Sequence, residues 1–334
     1  MTPIKLFVYG MRPFDELAFF TAACAERSIE LGYTTDPCTN ATADEAAGFD
    51  VVSVNTQALD ATLLAQLHAS GVKAIATRSI GIDHIDLEAA QRLGLGVSHA
   101  LYDPESVADY AIMLLLMLLR QVPQTLDRAR LQDYTLQGKM GRDIRGCTVG
   151  IVGTGRIGTA TAQRLSGFGC TLVAWDEKPN EAVAQVARYT NLDDLLATCD
   201  AVSLHAAATK RTQHLLDARA FELMKPGAVL VNTARGSLVD TWALIDALER
   251  GALGGAALDV LEQEDSLLYR NHVGTVLSHR PLAILRSFPN VILTPHTAFY
   301  TDVDVRQMAQ TVVQGAWALM TRTPNRLVVL ERGR

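Results

Sequence analysis

The stretch VGIVGTGRIGTATAQRL constrains the fold more than any other part of the chain. A β-branched run leads straight into Gly153, Gly155 and Gly158, and a run rich in small residues follows. In a strand–turn–helix unit, the first glycine permits the tight turn, the second lets a pyrophosphate approach the backbone, and the third brings helix and strand together. The phosphates then rest on the helix N-terminus. The pattern predicts a dinucleotide-binding unit whose loop includes Arg156 and Ile157.

A carboxylate follows at the spacing that such a unit requires. Asp176 ends the next strand-like run, 23 positions after Gly153 (176 − 153), where it can accept hydrogen bonds from a ribose diol. A 2′-phosphate would bring negative charge against Asp176 and Glu177, so NAD is favoured over NADP. Lys178 weakens that inference, because a nearby cation can partly accommodate the extra phosphate.

Short β-branched runs alternate with helical stretches along the whole chain. Such alternation is typical of βα units that wind into parallel sheets, and it predicts an α/β protein with two doubly wound domains. The strand-like runs are IKLFVY, VVSV, KAIA, TVGIV, LVAW, AVSL, AVLV, AALD and VIL, which begin at positions 4, 51, 73, 148, 172, 201, 228, 256 and 291.

Composition excludes several classes of function. The chain has 334 residues, 49% of them hydrophobic, and a formal net charge of −6, so it offers no broad basic surface for nucleic acid or anionic lipid. Its five cysteines are scattered without the spacing of a zinc site or a disulfide framework. We therefore expect reduced thiols, a cytoplasmic protein and no bound metal.

The most apolar segment, residues 104–120, is too short to span a bilayer and contains Asp109 and Tyr110. It is better interpreted as a buried helix. A helix this apolar must be covered on nearly every face, so we expect it to form the interface of a homodimer.

Three further signals follow predicted strands, at the sheet edge where open α/β folds bind ligands. Arg235 follows the strand AVLV, and its planar fork suits a carboxylate. The acidic cluster around Glu264 follows AALD, and His296 follows VIL. Alone, each would be an ordinary surface or packing residue. Together they supply a cation for a carboxylate, an imidazole for a hydroxyl proton, and a carboxylate to orient the imidazole.

The ordered set GTGRIG, Asp176, NTARG, LDVLEQE and TPHTA resembles the NAD-dependent D-2-hydroxyacid dehydrogenase family over nearly the whole chain. The stretches VYGMR, RSIGIDHID, YDPESVADY and PHTAFYTD are similar to its D-lactate dehydrogenase branch, which includes the vancomycin-resistance enzymes. The resemblance implies reduction of a small 2-oxo acid to the D-2-hydroxy acid, most simply pyruvate to D-lactate.

The same resemblance implies the role of individual residues. Arg235 would bind the substrate carboxylate, His296 would give the proton, and Glu264 would hold His296. Backbone N–H groups of Ile80 and Gly81 would bind the carboxylate from the other domain. The expected pocket residues are Tyr102, Phe299 and Tyr300, and the expected further cofactor contacts are His205, Ala234 and Asp259. His205 either faces the cofactor or merely fills a strand end.

The family also implies a domain arrangement. Residues 1–101 and 300–334 would form a flavodoxin-like substrate-binding domain, residues 102–299 the Rossmann domain that binds NAD, and the cleft between them the active site. Section 267–281 has no clear counterpart and leaves the pocket wall undefined.

Alternative functions remain open at this point. Bulkier 2-oxo acids, glyoxylate and hydroxypyruvate are other substrates for the same chemistry. Formate dehydrogenases of the family pair their histidine with glutamine, which disfavours that reaction here, and the aromatic Tyr300 disfavours phosphoglycerate and phosphite as substrates. In a different class of function, the chain would be an NAD(H)-sensing protein similar to the family's corepressors.

Overall fold

The computed structural model describes residues 3–333, which form two compact units. The first unit ends at Asp103 and resumes at Tyr300, and the second spans Pro104–Phe299. Each unit contains one sheet whose strands are mostly or entirely parallel. The predicted α/β class with two parallel-sheet domains is confirmed.

The first unit has a six-stranded sheet in the order β13-β5-β4-β3-β1-β2. Its strands are β1 Lys5–Val8, β2 Glu30–Tyr33, β3 Val51–Val54, β4 Ala74–Thr77, β5 Gly96–Ser98 and β13 Val328–Leu330. Its helices are α1 Leu17–Glu26, α2 Ala61–Ala69, α3 Leu87–Arg92 and α12 Asp302–Thr321. The order 2-1-3-4-5 of its first five strands is that of flavodoxin-like folds, and β13 pairs antiparallel with β5.

The second unit has a seven-stranded parallel sheet in the order β12-β11-β10-β9-β6-β7-β8. Its strands are β6 Thr148–Val152, β7 Thr171–Trp175, β8 Arg188–Tyr189, β9 Ala201–Leu204, β10 Ala228–Asn232, β11 Leu253–Leu258 and β12 Val291–Leu293. Its helices are α4 Glu105–Leu119, α5 Val122–Arg130, α6 Arg156–Ser166, α7 Glu181–Ala184, α8 Leu192–Thr198, α9 Ala218–Leu223, α10 Thr241–Glu249 and α11 Arg280–Leu285.

Strand β6 lies inside this second sheet. The next strands extend the sheet on one side of it, with β7 and β8, and the later strands extend it on the other side, beginning with β9. This is the topological switch point at which doubly wound folds bind ligands. The loops after β6, β10, β11 and β12 all leave from the carboxyl edge of the sheet. They contain the glycine motif, Arg235, Glu264 and His296, so the topology alone gathers the predicted chemistry at one edge.

Helix α4 is largely buried within its own unit, as its composition predicts. Eight of its 15 residues are buried, including Leu114, Leu115 and Leu118, which join the core cluster on one face of the sheet. Met113 is 41% exposed. No single helix within residues 3–333 is long and apolar enough to cross a membrane; α4 and α5 meet those criteria only as a pair, and they are bent by 63°.

Candidate active site

The glycine loop has the form that a bound pyrophosphate requires. Gly153 has φ +93°, in the left-handed region, and a Cβ there would lie 2.4 Å from the backbone nitrogen of Ala206. A Cβ on Gly158 would lie 1.9 Å from the carbonyl oxygen of Gly153. At Gly155 a Cβ would meet nothing within 4 Å. Two glycines are thus needed for close packing, and the middle one faces open space, where a phosphate can approach.

The N-terminus of α6 is suited to an anion. Gly155 is its cap residue and supplies no side-chain acceptor, so the first backbone N–H groups of an 11-residue helix meet the loop without a capping side chain. Free N–H groups and the positive end of the helix dipole bind phosphate. The residues present therefore fit the dinucleotide that the sequence motif predicts.

Asp176 is fixed by the same loop. Its Oδ2 accepts hydrogen bonds from the backbone nitrogen of Thr154 at 2.6 Å and from its hydroxyl at 3.2 Å, and its Oδ1 accepts from the backbone nitrogen of Lys178 at 2.8 Å. The Tyr189 hydroxyl also donates to the Thr154 hydroxyl, at 2.8 Å. The carboxylate is held in one orientation at the end of β7, although each oxygen can still accept from a ribose hydroxyl.

His205 lies where β9 meets the glycine loop. Its Nε2 is 2.9 Å from the Ser203 hydroxyl, while its Nδ1 is shielded from solvent and has no hydrogen-bond partner within residues 3–333. Burial lowers the pKa of His205 to about 4. A half-buried, uncharged ring with one unsatisfied nitrogen therefore lies beside the glycine loop.

Arg235 projects from a turn that Asn232 shapes. The Asn232 side chain accepts from the backbone nitrogen of Ala234 at 3.0 Å and donates to the carbonyl oxygen of Arg235 at 2.9 Å. Nη1 of Arg235 donates to the Ala234 carbonyl at 2.8 Å. Both backbone and guanidinium are therefore held at the end of β10. Ala234, the other predicted contact on this turn, is half-buried.

His296 and Glu264 form a pair. Nδ1 of His296 lies 2.8 Å from Oε1 of Glu264, and the side chains are only 15% and 16% exposed. The other carboxylate oxygen, Oε2, accepts from the backbone nitrogen of Leu261 at 2.9 Å. Since a carboxylate only accepts, Nδ1 is the donor in this pair and Nε2 is left for chemistry.

Asp259 anchors the loop that contains His296. This carboxylate is buried, with Oδ1 accepting from the Thr294 hydroxyl at 2.6 Å and the Thr297 nitrogen at 2.9 Å, and Oδ2 from the Ala298 nitrogen at 2.9 Å. The backbone nitrogen of His296 donates to the carbonyl of Asp259 at 2.8 Å. This anchoring role did not emerge from the sequence, in which Asp259 was expected to contact the cofactor.

Phe299 is buried in the second unit and packs edge-on against the imidazole of His296, with ring centroids 6.4 Å apart. It is therefore a neighbour of the histidine ring. In the first unit Tyr102 is half-buried and belongs to a segment tied to α12, where the backbone nitrogen of Asp103 donates to Gln307 at 2.7 Å.

In the first unit, the loop after β4 contains Ile80 and Gly81, and internal hydrogen bonds hold it. The Ser79 hydroxyl donates to the carbonyl of Gly81 at 2.6 Å and lies 3.0 Å from the Thr77 hydroxyl. His84 reaches the same threonine at 3.0 Å. A loop braced in this way presents its backbone N–H groups in a defined direction.

Tyr300 is held by two residues near the N-terminus: Arg12, which ends the stretch VYGMR, and Asp15, which the sequence did not single out. Its hydroxyl donates to Asp15 at 2.6 Å, and the Arg12 guanidinium lies 5.6 Å from the ring centroid. The hydrogen bond to Asp15 raises the pKa of the Tyr300 hydroxyl. Arg12 in turn binds Glu16, whose other oxygen lies 3.0 Å from the buried Arg78. Because Arg78 lies just before the loop at Ile80, one network, buried at Glu16 and Arg78, connects two of the predicted substrate contacts.

Section 267–281 is a surface excursion, and residues near both of its ends contact the acidic loop at residues 262–265. Backbone nitrogens of Leu267 and Leu268 donate to the Glu264 carbonyl at 2.7 and 3.1 Å, and His279 Nε2 lies 3.0 Å from the Glu262 carbonyl. Val273 and Val276 between them are at least 90% exposed.

Comparisons with known proteins agree with the predicted family. Residues 112–298 match the family model for the NAD binding domain of D-isomer specific 2-hydroxyacid dehydrogenases. The chain is 40% identical to a D-lactate dehydrogenase of Curvularia clavata, over 97% of this chain and 95% of that protein. It is 45% identical to a D-specific alpha-keto acid dehydrogenase of Enterococcus faecalis, over 80% and 82% of the two chains. The solved structure of the pyruvate reductase of Chlamydomonas reinhardtii superposes with a TM-score of 0.86 at 35% identity, covering 96% of this chain and 98% of that one.

With the family matched over most of the chain and a nucleotide loop of the required form, the chain belongs to the D-isomer specific 2-hydroxyacid dehydrogenases and is an NAD-dependent enzyme. The resemblance inferred from its motifs is confirmed, including the likeness to D-lactate dehydrogenases.

Proposed function

We propose that this enzyme reduces pyruvate to D-lactate and that Arg235, Glu264 and His296 perform the chemistry. The observation that carries the proposal is the His296–Glu264 pair, with 2.8 Å between Nδ1 and Oε1. It leaves the imidazole Nε2 as the proton donor, and it places a negative charge behind the ring to stabilise the protonated form. Both are needed by a group that gives a proton to a carbonyl oxygen.

Each residue has a distinct task in the reduction. NADH, when bound, supplies the hydride to the carbonyl carbon. The Arg235 guanidinium binds the substrate carboxylate through two parallel N–H bonds and draws electron density from the adjacent carbonyl. His296 passes the proton on Nε2 to the oxygen as it gains negative charge. Glu264 keeps Nδ1 bound throughout, so the ring does not rotate out of line.

In the first unit, we assign the backbone N–H groups of Ile80 and Gly81 to the substrate carboxylate, and Tyr102 and Tyr300 to its side chain. These roles are supported by the hydrogen bonds within the loop after β4 and by the hydrogen bond from Tyr300 to Asp15. We place Phe299 beside the substrate on the same grounds, since it packs against the His296 ring.

For the cofactor, we assign the phosphates to the loop Gly153–Gly158, including Arg156 and Ile157, and the ribose diol to Asp176. His205, Ala234 and Asp259 complete the set near the nicotinamide. Asp259 already accepts three hydrogen bonds, and a carboxylate has room for a fourth. Glu177 lies 3.4 Å from Arg211, which partly offsets the negative charge that disfavours NADP.

The relatives leave the preferred acid open, and a bulkier 2-oxo acid, glyoxylate or hydroxypyruvate is the second candidate for the same site. One methylene in an apolar pocket changes discrimination by only about 1–3 kcal/mol. An NAD(H)-sensing role is the third candidate. Sensing proteins can keep the whole catalytic set, so measured turnover, and not the His296–Glu264 pair, distinguishes the two roles.

We also propose a cytoplasmic homodimer. Helix α4 leaves Met113 exposed next to Phe168, and the segment after α5 exposes Leu131, Tyr134, Leu136 and Met140 by 78–88%. Apolar surface of this extent is typical of an interface. Sedimentation of the wild type and of Met113→Asp tests the assembly: the variant is expected to shift toward monomer, and a monomeric wild type would contradict it.

The decisive experiment is NADH oxidation with pyruvate, 2-oxobutyrate, 2-oxoisocaproate, phenylpyruvate, hydroxypyruvate and glyoxylate, with NADPH as the cofactor control. Fastest turnover with pyruvate, and D-lactate by chiral analysis, are the expected results. Preference for a bulkier acid would keep the residue roles and change the substrate. If the protein binds NADH but reduces none of these acids, the sensing role is favoured.

A further inference from the structure

Glu262 has no part in the roles assigned above, yet its carboxylate joins three segments of the second unit. Oε1 lies 2.6 Å from Nε2 of His214. Oε2 accepts from the backbone nitrogen of Thr241 at 3.0 Å and from its hydroxyl at 2.7 Å. Both oxygens are therefore engaged, on a side chain that is 24% exposed.

The backbone beside Glu262 is fixed from a second side. Gly236 packs so closely that a Cβ there would lie 2.1 Å from the carbonyl carbon of Leu261. His279 holds the carbonyl of Glu262 itself: its Nδ1 accepts from the backbone nitrogen of Leu282 at 3.1 Å, so the proton is on Nε2, which donates to Glu262 over 3.0 Å. The backbone of Leu261 and Glu262 is thus held by side chains and backbone together.

The same stretch of backbone contacts the reacting pair. The backbone nitrogen of Leu261 donates to Oε2 of Glu264 at 2.9 Å, and the other oxygen of Glu264 holds His296. The orientation of the Glu264 carboxylate depends on where the Leu261 amide points. Glu262 follows Leu261 directly, so its contacts restrain the backbone next to that amide.

We propose that Glu262 is a positioning residue for the dehydrogenase reaction: with His214 and Thr241 it fixes the Leu261 amide, which orients Glu264 against His296. The inference rests on the proposed function of that pair. His214 and Thr241 do not touch the reacting groups. In this proposal they support proton transfer through their contacts with Glu262.

The charges around His214 favour this arrangement. Hydrogen bonding to Glu262 is the main cause that raises the pKa of His214, and Asp240 and Asp217 act in the same direction. The imidazolium therefore persists to higher pH than in a free histidine. Once His214 loses that proton, it keeps one N–H for Glu262, so the contact weakens with rising pH without being abolished.

The test compares Glu262→Ala, His214→Leu and His214→Gln with the wild type, and uses Glu222→Ala as control because Glu222 is exposed on α9. Glutamine places an amide N–H where His214 has Nε2, so His214→Gln is expected to restore most of what His214→Leu loses. We expect Glu262→Ala to lower kcat with pyruvate roughly 10–100-fold, as a small misplacement of a reacting group does. The KM for NADH should stay within about twofold, since the glycine loop is untouched.

A second measurement does not need turnover. In protein labelled with ¹⁵N-histidine and free of NADH, the proton on Nδ1 of His296 gives a signal that disappears in His296→Ala. That signal should move or broaden in Glu262→Ala and in His214→Leu, and stay in place in His214→Gln and Glu222→Ala.

Folded Glu262→Ala protein with wild-type kcat and an unmoved His296 signal would overturn the inference. Should Glu262→Ala not fold, the two His214 variants decide the matter, because that side chain is 39% exposed and its replacement leaves the core intact. If the wild type reduces none of the acids, the proposed function fails, and the NMR signal still reports whether Glu262 positions the pair.

Discussion

Nδ1 of His296 and Oε1 of Glu264 lie 2.8 Å apart, and the second oxygen of Glu264 is bound to the backbone of Leu261. His296 itself has φ +54°, in the left-handed region that non-glycine residues seldom adopt. Its backbone nitrogen is held by the carbonyl of Asp259. Ring and backbone are both constrained within the protein, so the imidazole is oriented before any substrate arrives.

Replacing His296 by alanine should lower kcat for pyruvate reduction by about 10²–10⁴-fold, because the carbonyl oxygen loses its proton donor. NADH binding, measured by fluorescence, should be nearly unchanged. His68→Ala is the matched control, since His68 is exposed on α2. Undiminished turnover in His296→Ala would remove this residue from the chemistry.

Glu264→Gln keeps an acceptor for Nδ1 of His296 but removes the negative charge behind the ring. We expect kcat to fall by roughly 10²-fold or more, as when the carboxylate of other acid–histidine pairs is neutralised. Stopped-flow kinetics of a single turnover measures the chemical step directly. A variant that matches the wild type in that step would show that the charge is not needed.

Arg235→Lys preserves the charge and loses the planar fork. The KM for pyruvate should rise and kcat should fall, together by roughly 10–100-fold in kcat/KM, because one bidentate contact is replaced by a single ammonium. Arg219→Lys is the control, since Arg219 forms an exposed ion pair with Asp193. Equal effects of the two substitutions would argue against bidentate carboxylate binding.

Asp176→Ala should weaken NADH and improve the relative use of NADPH, because the carboxylate that receives the ribose diol and repels a 2′-phosphate is gone. The ratio of kcat/KM values for the two cofactors measures the change. Glu222→Ala again serves as control. A ratio that stays at its wild-type value would show that Asp176 does not select the cofactor.

His205 makes stability depend on acid pH. Its pKa is lowered to about 4 by burial, whereas an unfolded chain binds this proton near the ordinary value of about 6.5. Between these values the unfolded state holds more protons, so the free energy of unfolding falls as the pH drops through that window and levels off below it. Thermal unfolding of His205→Asn should lose less stability than the wild type between pH 7 and pH 4. Equal losses of stability in the variant and the wild type would show that groups other than His205 cause the acid sensitivity.

Much of the site could be predicted because parallel sheets place the ends of successive strands at one edge. Arg235, Glu264 and His296 each follow a recognisable apolar run, so position along the chain sufficed to bring them together. Strands β2, β5 and β8 have no such signal, since β2 and β8 are edge strands of four and two residues and β5 has three. The three residues of β13 do lie in a short apolar run, LVVL at residues 327–330, which was not recognised as a strand.

The contacts between distant segments escaped prediction for a different reason. Glu262 and His214 are 48 positions apart, and Tyr300 and Asp15 are 285 apart, so no local pattern links them. The left-handed backbone at Gln263 and His296 likewise could not be predicted, because neither position is a glycine. Asp259 was expected from the family resemblance as a cofactor contact, but its three internal donors became visible only in three dimensions.

The excursion between Leu267 and His279 starts and ends at the acidic loop, while Glu264 and His296 are anchored to Leu261 and Asp259, outside it. The excursion also contacts both members of that pair, because the Tyr269 hydroxyl donates to the carbonyl of His296 at 3.5 Å and the backbone nitrogens of Leu267 and Leu268 donate to the carbonyl of Glu264. The exposed middle of the segment, at Val273 and Val276, lies outside these contacts. It is therefore the natural graft site, where new loops could be screened for altered substrate range on an unchanged chemical centre.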